Sequence, residues 1–443
     1  MTQTWLGLDP ELLVVDGENF LVPAQRIIKS RAKSAPVAYD GAAIEIRPAP
    51  GYCAAALSMN TRELLWNATA QFRLARLKGS IPRDSRISVA PAAMVRPEDM
   101  KLKSINQFGC NESLSVNDDL SVSVVRPLPG AEEVPFRTAG YHVHISNNQN
   151  VNTFTGKATP SLDVENSKES FLEKYVAPRV AILDAMVGLI DVMMVHLDGH
   201  SMESEVRRGL IGYGRGGEIR VRPYGEKNWL NGRMEYRTPS PWAMSSPMWS
   251  WWLQTSVRCI MDVGRLGPSK IGPLLERLPA RSEITDAINR NDAKAARELW
   301  MASWRAWKSH GYWGDHESSG LETNNVYYML LALNNGGHKF FDHKDMATSW
   351  FRNERVLRTG GAVWDPKTSN YKIKPYEGSH SVRYSTTKNR KAHPIVNRRM
   401  NTIHDKGHMR FFPSGPRYFL KEIHPEWALK LKSNEAYEIK EIV

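Results

Sequence analysis

Five short stretches in the first 240 residues carry ionisable side chains two positions apart. They are Asp9 and Glu11; Glu45 and Arg47; His142 and His144; Arg220 and Arg222; and Arg233, Glu235 and Arg237. Successive side chains of an extended strand point to opposite faces, so each set projects from one side of its strand. The intervening residues include Ile44 and Ile46, Val143 and Ile145, Ile219 and Val221, which puts apolar side chains on the reverse. The plainer reading is an antiparallel sheet with one wet face and one core face. That explains the alternation but less well the residue types. A merely solvated face favours Lys, Thr, Ser and Gln, whereas lysine is absent from all five sets. Arginine offers a planar fork for phosphate and carboxylate. Acids with histidine suit divalent cations. Were the strands to share a sheet, like charges would crowd one surface unless an ion or a polyphosphate joined them.

Around these strands the pattern is mixed. Residues 5 to 50 read as two strands about an irregular connection, and 54 to 78 have helical apolar spacing. A short strand is suggested within residues 80 to 95 after a proline turn, another at LSVSVV, and GYHVHIS is an alternating strand. Residues 147 to 168 are polar and predict an exposed excursion. A long helix follows over about 169 to 197, with Pro178 kinking it or marking its first turn. Its apolar run from Val180 to Leu197 is interrupted by Asp184 and Asp191, which predicts a buried helix and no membrane contact. Asp184, Asp191 and Asp198 lie on one helical face. They read as a polar stripe touching solvent or arginines of the sheet, with one orienting an active-site arginine as the alternative. Further helices are expected over 247 to 263, 281 to 309 and 321 to 335. Trp300, Trp304 and Trp307 form a packing stripe.

The 443 residues suffice for a full core without staples. Three distant cysteines argue for a reducing compartment, and the N-terminus lacks the pattern of a signal peptide. Net charge is +12, and residues 380 to 421 hold ten Lys/Arg against one acid. That stretch could attract nucleic acid or another polyanion, or be a solvated basic surface. Gly212 to Gly217 matches GxGxxG, but the strand-like EIRVR after it is wrong for a dinucleotide fold. It reads as a flexible loop whose backbone, at Gly214, approaches a phosphate. There is no GxxxxGK[ST], HExxH, GxSxG or CxxC, so the commoner NTPase, protease and hydrolase templates have no foothold.

Five pieces in order resemble the phage-type carboxylate–amine ligases, type 2, of the glutamate–cysteine ligase and glutamine synthetase superfamily. They are GLDPE (7–11), YDGAAIEIRPAPG (39–51), FGCNES (108–113), RTAGYHVHIS (137–146), and RRGLIGYGRGGEIRVRPYG followed by RMEYRTPSPW. The resemblance covers about residues 5 to 265, or as far as 310. Departures are Asn111 for an aspartate, Glu112 and Ser113 for a Pro-Asp pair, and Tyr141 for a second glycine. The resemblance implies an α+β fold, a glutamine synthetase-like antiparallel sheet with a concave active-site face and helices on the other face. Residues 1–265 would form this domain, and residues 266–443 a helical, then irregular and basic C-terminal extension. It implies ATP and Mg2+ or Mn2+ as cofactors, and amide formation from a carboxylate and an amine through an acyl phosphate. The substrate would be a small amino acid or peptide with an amine co-substrate. The setting would be cytoplasmic, in a host if the chain is phage-encoded.

By the same resemblance Glu11, Glu45, Glu235 and His142 would hold metal, with Asp9 and Asp40 as weaker candidates. His144 would lie near the nucleotide or the metal-bound phosphate. Arg237 would face the transferring phosphoryl group, and Arg220 and Arg222 phosphate or the substrate carboxylate. Arg207 and Arg208 would be nucleotide or supporting contacts. Arg47 and Arg233 are left as ion pairs of the wet face. The alternatives are a guanidino kinase-type phosphotransferase, an inactive virion-associated or nucleic-acid-binding scaffold using the basic tail, and a zinc enzyme built on His142 and His144.

Overall fold

The computed structural model describes residues 5–31, 35–50, 54–106, 113–125, 130–146, 166–224, 228–245, 247–264, 268–309, 350, 362–365, 370–373 and 383–385. In chain order, strand β1 is Trp5–Val15, β2 Val37–Asp40 and β3 Ala43–Ile46, followed by helix α1, Ala54–Leu77. Then come β4 (Arg86–Ser88), β5 (Ala92–Met94), β6 (Leu114–Val116), β7 (Val122–Val124), β8 (Phe136–Thr138) and β9 (Tyr141–Ser146). The long helix α2 runs Lys168–Leu197. The short helix α3, Ser201–Glu205, continues into a wider π turn, Val206–Leu210. Strands β10 (Glu218–Tyr224) and β11 (Asn228–Tyr236) precede helices α4 (Pro247–Gly264), α5 (Pro268–Leu275), α6 (Arg281–Asn289) and α7 (Ala293–Ser309). Strands β12 (Ala362–Asp365), β13 (Asn370–Ile373) and β14 (Arg383–Ser385) form a separate three-stranded antiparallel sheet.

The expected single strand over YDGAAIEIRP is instead a hairpin. Gly41, at φ 52°, supplies the left-handed turn that sends β2 back as β3. LSVSVV likewise pairs with a strand the sequence did not reveal, since β7 forms a hairpin with β6. The excursion at 147–165, the helix at 321–335 and the basic stretch, apart from Arg383–Ser385, lie outside the described residues.

The main sheet is mixed α+β in its surroundings and antiparallel in its pairings, in the order β2-β3-β1-β9-β11-β10-β6-β7, with β4 also on β1. One face is core. Leu8, Leu12, Ile44, Val143, Ile145, Ile219, Met234 and Tyr236 are buried there. Tyr141 Oη lies 3.0 Å from Ser250 Oγ of α4, and Tyr236 Oη donates to Asp184 Oδ1 of α2 at 2.6 Å. Helix α2 is the one described helix long and apolar enough to cross a membrane, but 89% of its apolar window is buried in the protein. It contains two π turns, Phe171–Val176 and Asp184–Gly188, and Pro178 lies just after the first, at the start of a new α turn. Trp300, Trp304 and Trp307 of α7 are buried, as their spacing predicts. The chain divides into two compact units: Met1–Tyr312 with Lys344–Met346, and Trp313–His343 with Ala347–Val443.

Candidate active site: a carboxylate, histidine and arginine cluster on the sheet

Register explains how residues over 200 positions apart meet. Glu11 opposes Glu45 between β1 and β3, and Asp9 opposes His142 between β1 and β9. His144 opposes Glu235 between β9 and β11, and Glu235 opposes Arg220 between β11 and β10. Directly opposed residues of an antiparallel pair share a face. All five ionisable sets therefore fall on the side away from the core.

At the centre, Asp9, His142 and Glu235 each present a ligand atom, and these atoms lie within 4.8 Å of one another. His142 Nδ1 is 3.2 Å from Asp9 Oδ1 and 3.7 Å from Glu235 Oε1. Asp9 Oδ1 is nonetheless buried with no hydrogen-bond partner, so the contact lacks hydrogen-bond geometry. An uncoordinated buried carboxylate oxygen beside a second carboxylate and an imidazole is a donor set that fits a divalent cation. Asp9, a weaker candidate by resemblance, is thus central. Its Oδ2 bonds His144 Nε2 at 2.8 Å, which turns His144 toward Asp9 as a supporting group.

Glu11, Glu45 and Asp40 flank this centre. Glu11 Oε2 accepts from Gly140 N at 2.8 Å and from Tyr213 Oη at 3.2 Å. Glu45 pairs with Arg47, the ion pair expected for that arginine. Burial pushes the Glu45 carboxyl up to about 8, and the charges of Asp9, Glu11 and Asp40 add to this despite Arg47. Burial also raises Glu11, against the pull of His142, with Asp9 and Asp40 adding to the rise. For Asp9, burial alone would raise the carboxyl, but His144 and His142 hold it well below the usual range. For Glu235, burial is again opposed and outweighed, here by His142, Arg237 and His144. Burial would lower His142, yet Asp9 and Glu11 push it up to about 8. Lowered Asp9 and Glu235 beside a raised His142 mark opposite charges stabilising one another in one buried place.

Two arginines border the cluster. Arg220 Nη1 donates to Glu235 Oε2 at 3.3 Å. Arg237, 1% exposed, has Nε 3.5 Å from Glu218 Oε1 and 3.7 Å from Glu235 Oε1, and Nη1 donates to Ser113 Oγ at 3.2 Å. Arg222 and Arg233 oppose each other, exposed, one step further along the same face. Among the described residues neither makes an ion pair, so the pairing expected for Arg233 is not found there.

Of the two roles expected for Arg207 and Arg208, nucleotide or supporting contacts, the supporting one is seen: both are fully buried and bind protein rather than opening toward the cluster. Arg207 donates to the carbonyls of Arg237, Thr238 and Pro239, and Arg208 pairs with Asp191 and donates to Thr238 O. They clamp the backbone that carries Arg237. The glycine loop is likewise not an open phosphate cradle. Gly214 N and Arg215 N donate to Glu218 Oε2, Gly216 N to Asn289 Oδ1 and Gly217 N to Asp184 Oδ2. Gly214, at φ 69°, is required because a Cβ there would lie 2.1 Å from Arg207 Nη2. Asp184 and Asp191 are fully buried and touch no solvent.

Glu218 and Tyr213 went unnoticed in the sequence. Glu218 precedes Arg220 by two, so the alternation itself marks it as facing the same side. Tyr213 is hidden inside a glycine pattern that draws the eye to its backbone.

No family model matches the chain, and no curated protein matches it. Among solved structures it is similar to a bifunctional glutathione synthetase from Pasteurella multocida, with a TM-score of 0.33 and 11% identity. The match covers 86% of this chain and 59% of that one, so the chain spans less than two thirds of that protein's length. A superposition this loose fixes neither a shared fold nor a shared activity.

Proposed function

We propose that the cluster is the active site of an ATP-dependent ligase joining a carboxylate to an amine, with Mg2+ or Mn2+ held by Asp9, His142 and Glu235. The carrying observation is the convergence of this donor set with Arg220 and Arg237 on one sheet face. Such a cation, when bound, would shield and orient phosphate oxygens. The chain's own residues supply the rest. Arg237 and Arg220 present guanidinium groups to the anions, and Glu218 holds Arg237 in place. In a reaction of this class the carboxylate oxygen attacks the terminal phosphorus, releasing ADP. The amine nitrogen then displaces inorganic phosphate and gives the amide. We read the fold as glutamine synthetase-like and the chain as related to the phage-type ligases it resembles, acting in a cytoplasm on an amino acid or peptide.

The test is ADP release by the full chain with Mg2+, screened against amino acids and cell-wall peptides, with products identified by mass spectrometry. An amide with free phosphate is expected; a phosphorylated guanidine would make the protein a phosphotransferase. Glu235→Gln removes a ligand and is expected to abolish cation-dependent turnover while the protein still melts cooperatively. Unchanged turnover in that variant, or no affinity of the native protein for nucleotide with its cation, would overturn the reading.

A further inference from the structure

Tyr213 touches both the histidine–carboxylate part of the cluster and its arginine border. Its hydroxyl contacts His142 Nε2 and Glu11 Oε2. Its ring lies against two guanidinium groups, with Arg207 Cζ 4.8 Å and Arg237 Cζ 5.1 Å from the centroid. A phenol has one proton. Glu11 Oε2 already accepts from Gly140 N, so that oxygen is an acceptor and the phenol proton points to it. The phenol oxygen must then accept from His142, which places a proton on Nε2. In neutral His142 the Nδ1 lone pair is left facing Asp9 Oδ1 and Glu235 Oε1, at 3.2 and 3.7 Å. A lone pair beside two carboxylate oxygens is relieved by a proton on Nδ1 or by a cation, and a cation takes all three groups as donors.

We propose that Tyr213 is a positioning residue that fixes His142 as its Nε2–H tautomer and so presents Nδ1 as a ligand to a divalent cation. This rests on the reading of Asp9, His142 and Glu235 as a cation site. Outer hydrogen bonds commonly set the tautomer and orientation of a ligating histidine in this way. Gly140 makes the contact accessible. A Cβ there would stand 2.7 Å from His142 Nε2 and 2.9 Å from Tyr213 Oη, so any side chain would wedge the pair apart.

The experiment uses the full-length protein, with Mn2+ as the probe followed by electron paramagnetic resonance. Tyr213→Phe keeps the ring against both arginines and removes only the hydroxyl. Mn2+ affinity is expected to fall about 10–100-fold, and Gly140→Ala is expected to weaken binding in the same direction. In parallel, nitrogen NMR of labelled histidine at alkaline pH reads the tautomer without metal, with His142 assigned by its loss in His142→Gln. The native protein should carry the proton on Nε2, and Tyr213→Phe should shift it toward Nδ1. A native His142 protonated on Nδ1, or equal Mn2+ affinity in Tyr213→Phe and native protein, would overturn the assignment to Tyr213. A native protein that binds no Mn2+ would overturn the cation site itself, and the NMR arm would still decide whether Tyr213 sets the tautomer.

Discussion

Arg237 is buried between two carboxylates and a tyrosine ring, so its fork is oriented before any ligand arrives. Arg237→Lys keeps a charge but loses the planar fork and its bidentate geometry. Cation-dependent ADP release should fall about 100-fold, as for loss of one oriented transition-state donor; steady-state kinetics measure it, and full activity would remove Arg237 from the site. A second expectation concerns pH. His142 is raised from 6.5 to about 8, so folding favours its protonated form. That contribution, on the order of 2 kcal/mol, is fully present below the unfolded value and lost as pH rises through about 8. Glu45 is raised from 4.5 to about 8, so folding favours its neutral form. Its contribution is fully present below the unfolded value of 4.5 and lost as pH rises from there through about 8. Metal-free protein should therefore melt at a lower temperature at pH about 9 than at pH about 6, and saturating Mg2+ should narrow the gap. Calorimetry at the two pH values, with and without cation, checks this; a gap that the cation leaves unchanged would argue against a cation among these groups.

The strands of the site were legible because period two is a strong signal and the polar residues on it are unusual. Asp9 with Glu11, and His142 with His144, could each be placed on one side of a strand from alternation alone, and a common face followed only if the strands shared a sheet. Neighbour order could not be read in this way, since β9 lies between β1 and β11 through pairings made between residues far apart in the chain. The acids of α2 do meet arginines, but their burial and the arginines they meet were not legible, for a related reason. Their spacing puts Asp184 and Asp191 on one face, but their partners lie far along the chain. Asp184 accepts from Gly217 N at 2.5 Å, Tyr236 Oη at 2.6 Å and Arg281 Nη2 at 2.6 Å. Asp191 pairs with Arg208 and accepts from Ser240 N at 2.7 Å. These two aspartates tie the core helix to the ends of the strands that carry the site. Asp184→Asn leaves Arg281 buried without its counter-charge and should cost about 3–5 kcal/mol. Urea midpoints measure this, and adding Arg281→Met should recover part of the loss. A cost no larger than that of an exposed pair would show that the carboxylate is not what holds these elements.

At the scale of the molecule, the sequence left the end of the resemblance between residues 265 and 310, and the physical unit runs past the nearer bound. Arg281 closes the pair with Asp184, Asn289 Oδ1 takes Gly216 N at 2.8 Å, and Trp300 Nε1 donates to Met186 O at 3.0 Å. Ile288 lies so close to Gly188 that a Cβ on the glycine would stand 2.8 Å from its Cδ1. Helices α6 and α7 are thus in contact with the helix and loop that position Arg237 and Tyr213. A chain ending after Tyr312 should melt cooperatively and bind Mn2+ as the full chain does. A chain ending after Gly264 would leave Asp184 buried without Arg281 and uncover the surface that Trp300, Trp304 and Trp307 bury. Loss of even one such tryptophan typically costs about 3–5 kcal/mol, and a whole domain is commonly stable by only about 5–15 kcal/mol. The shorter chain should therefore fail to fold. Circular dichroism melts and Mn2+ titration of the two chains decide it. A folded, cation-binding chain ending at Gly264 would show that the sheet and α2 suffice to build the site. Failure of both chains would show that residues beyond Tyr312 are needed as well.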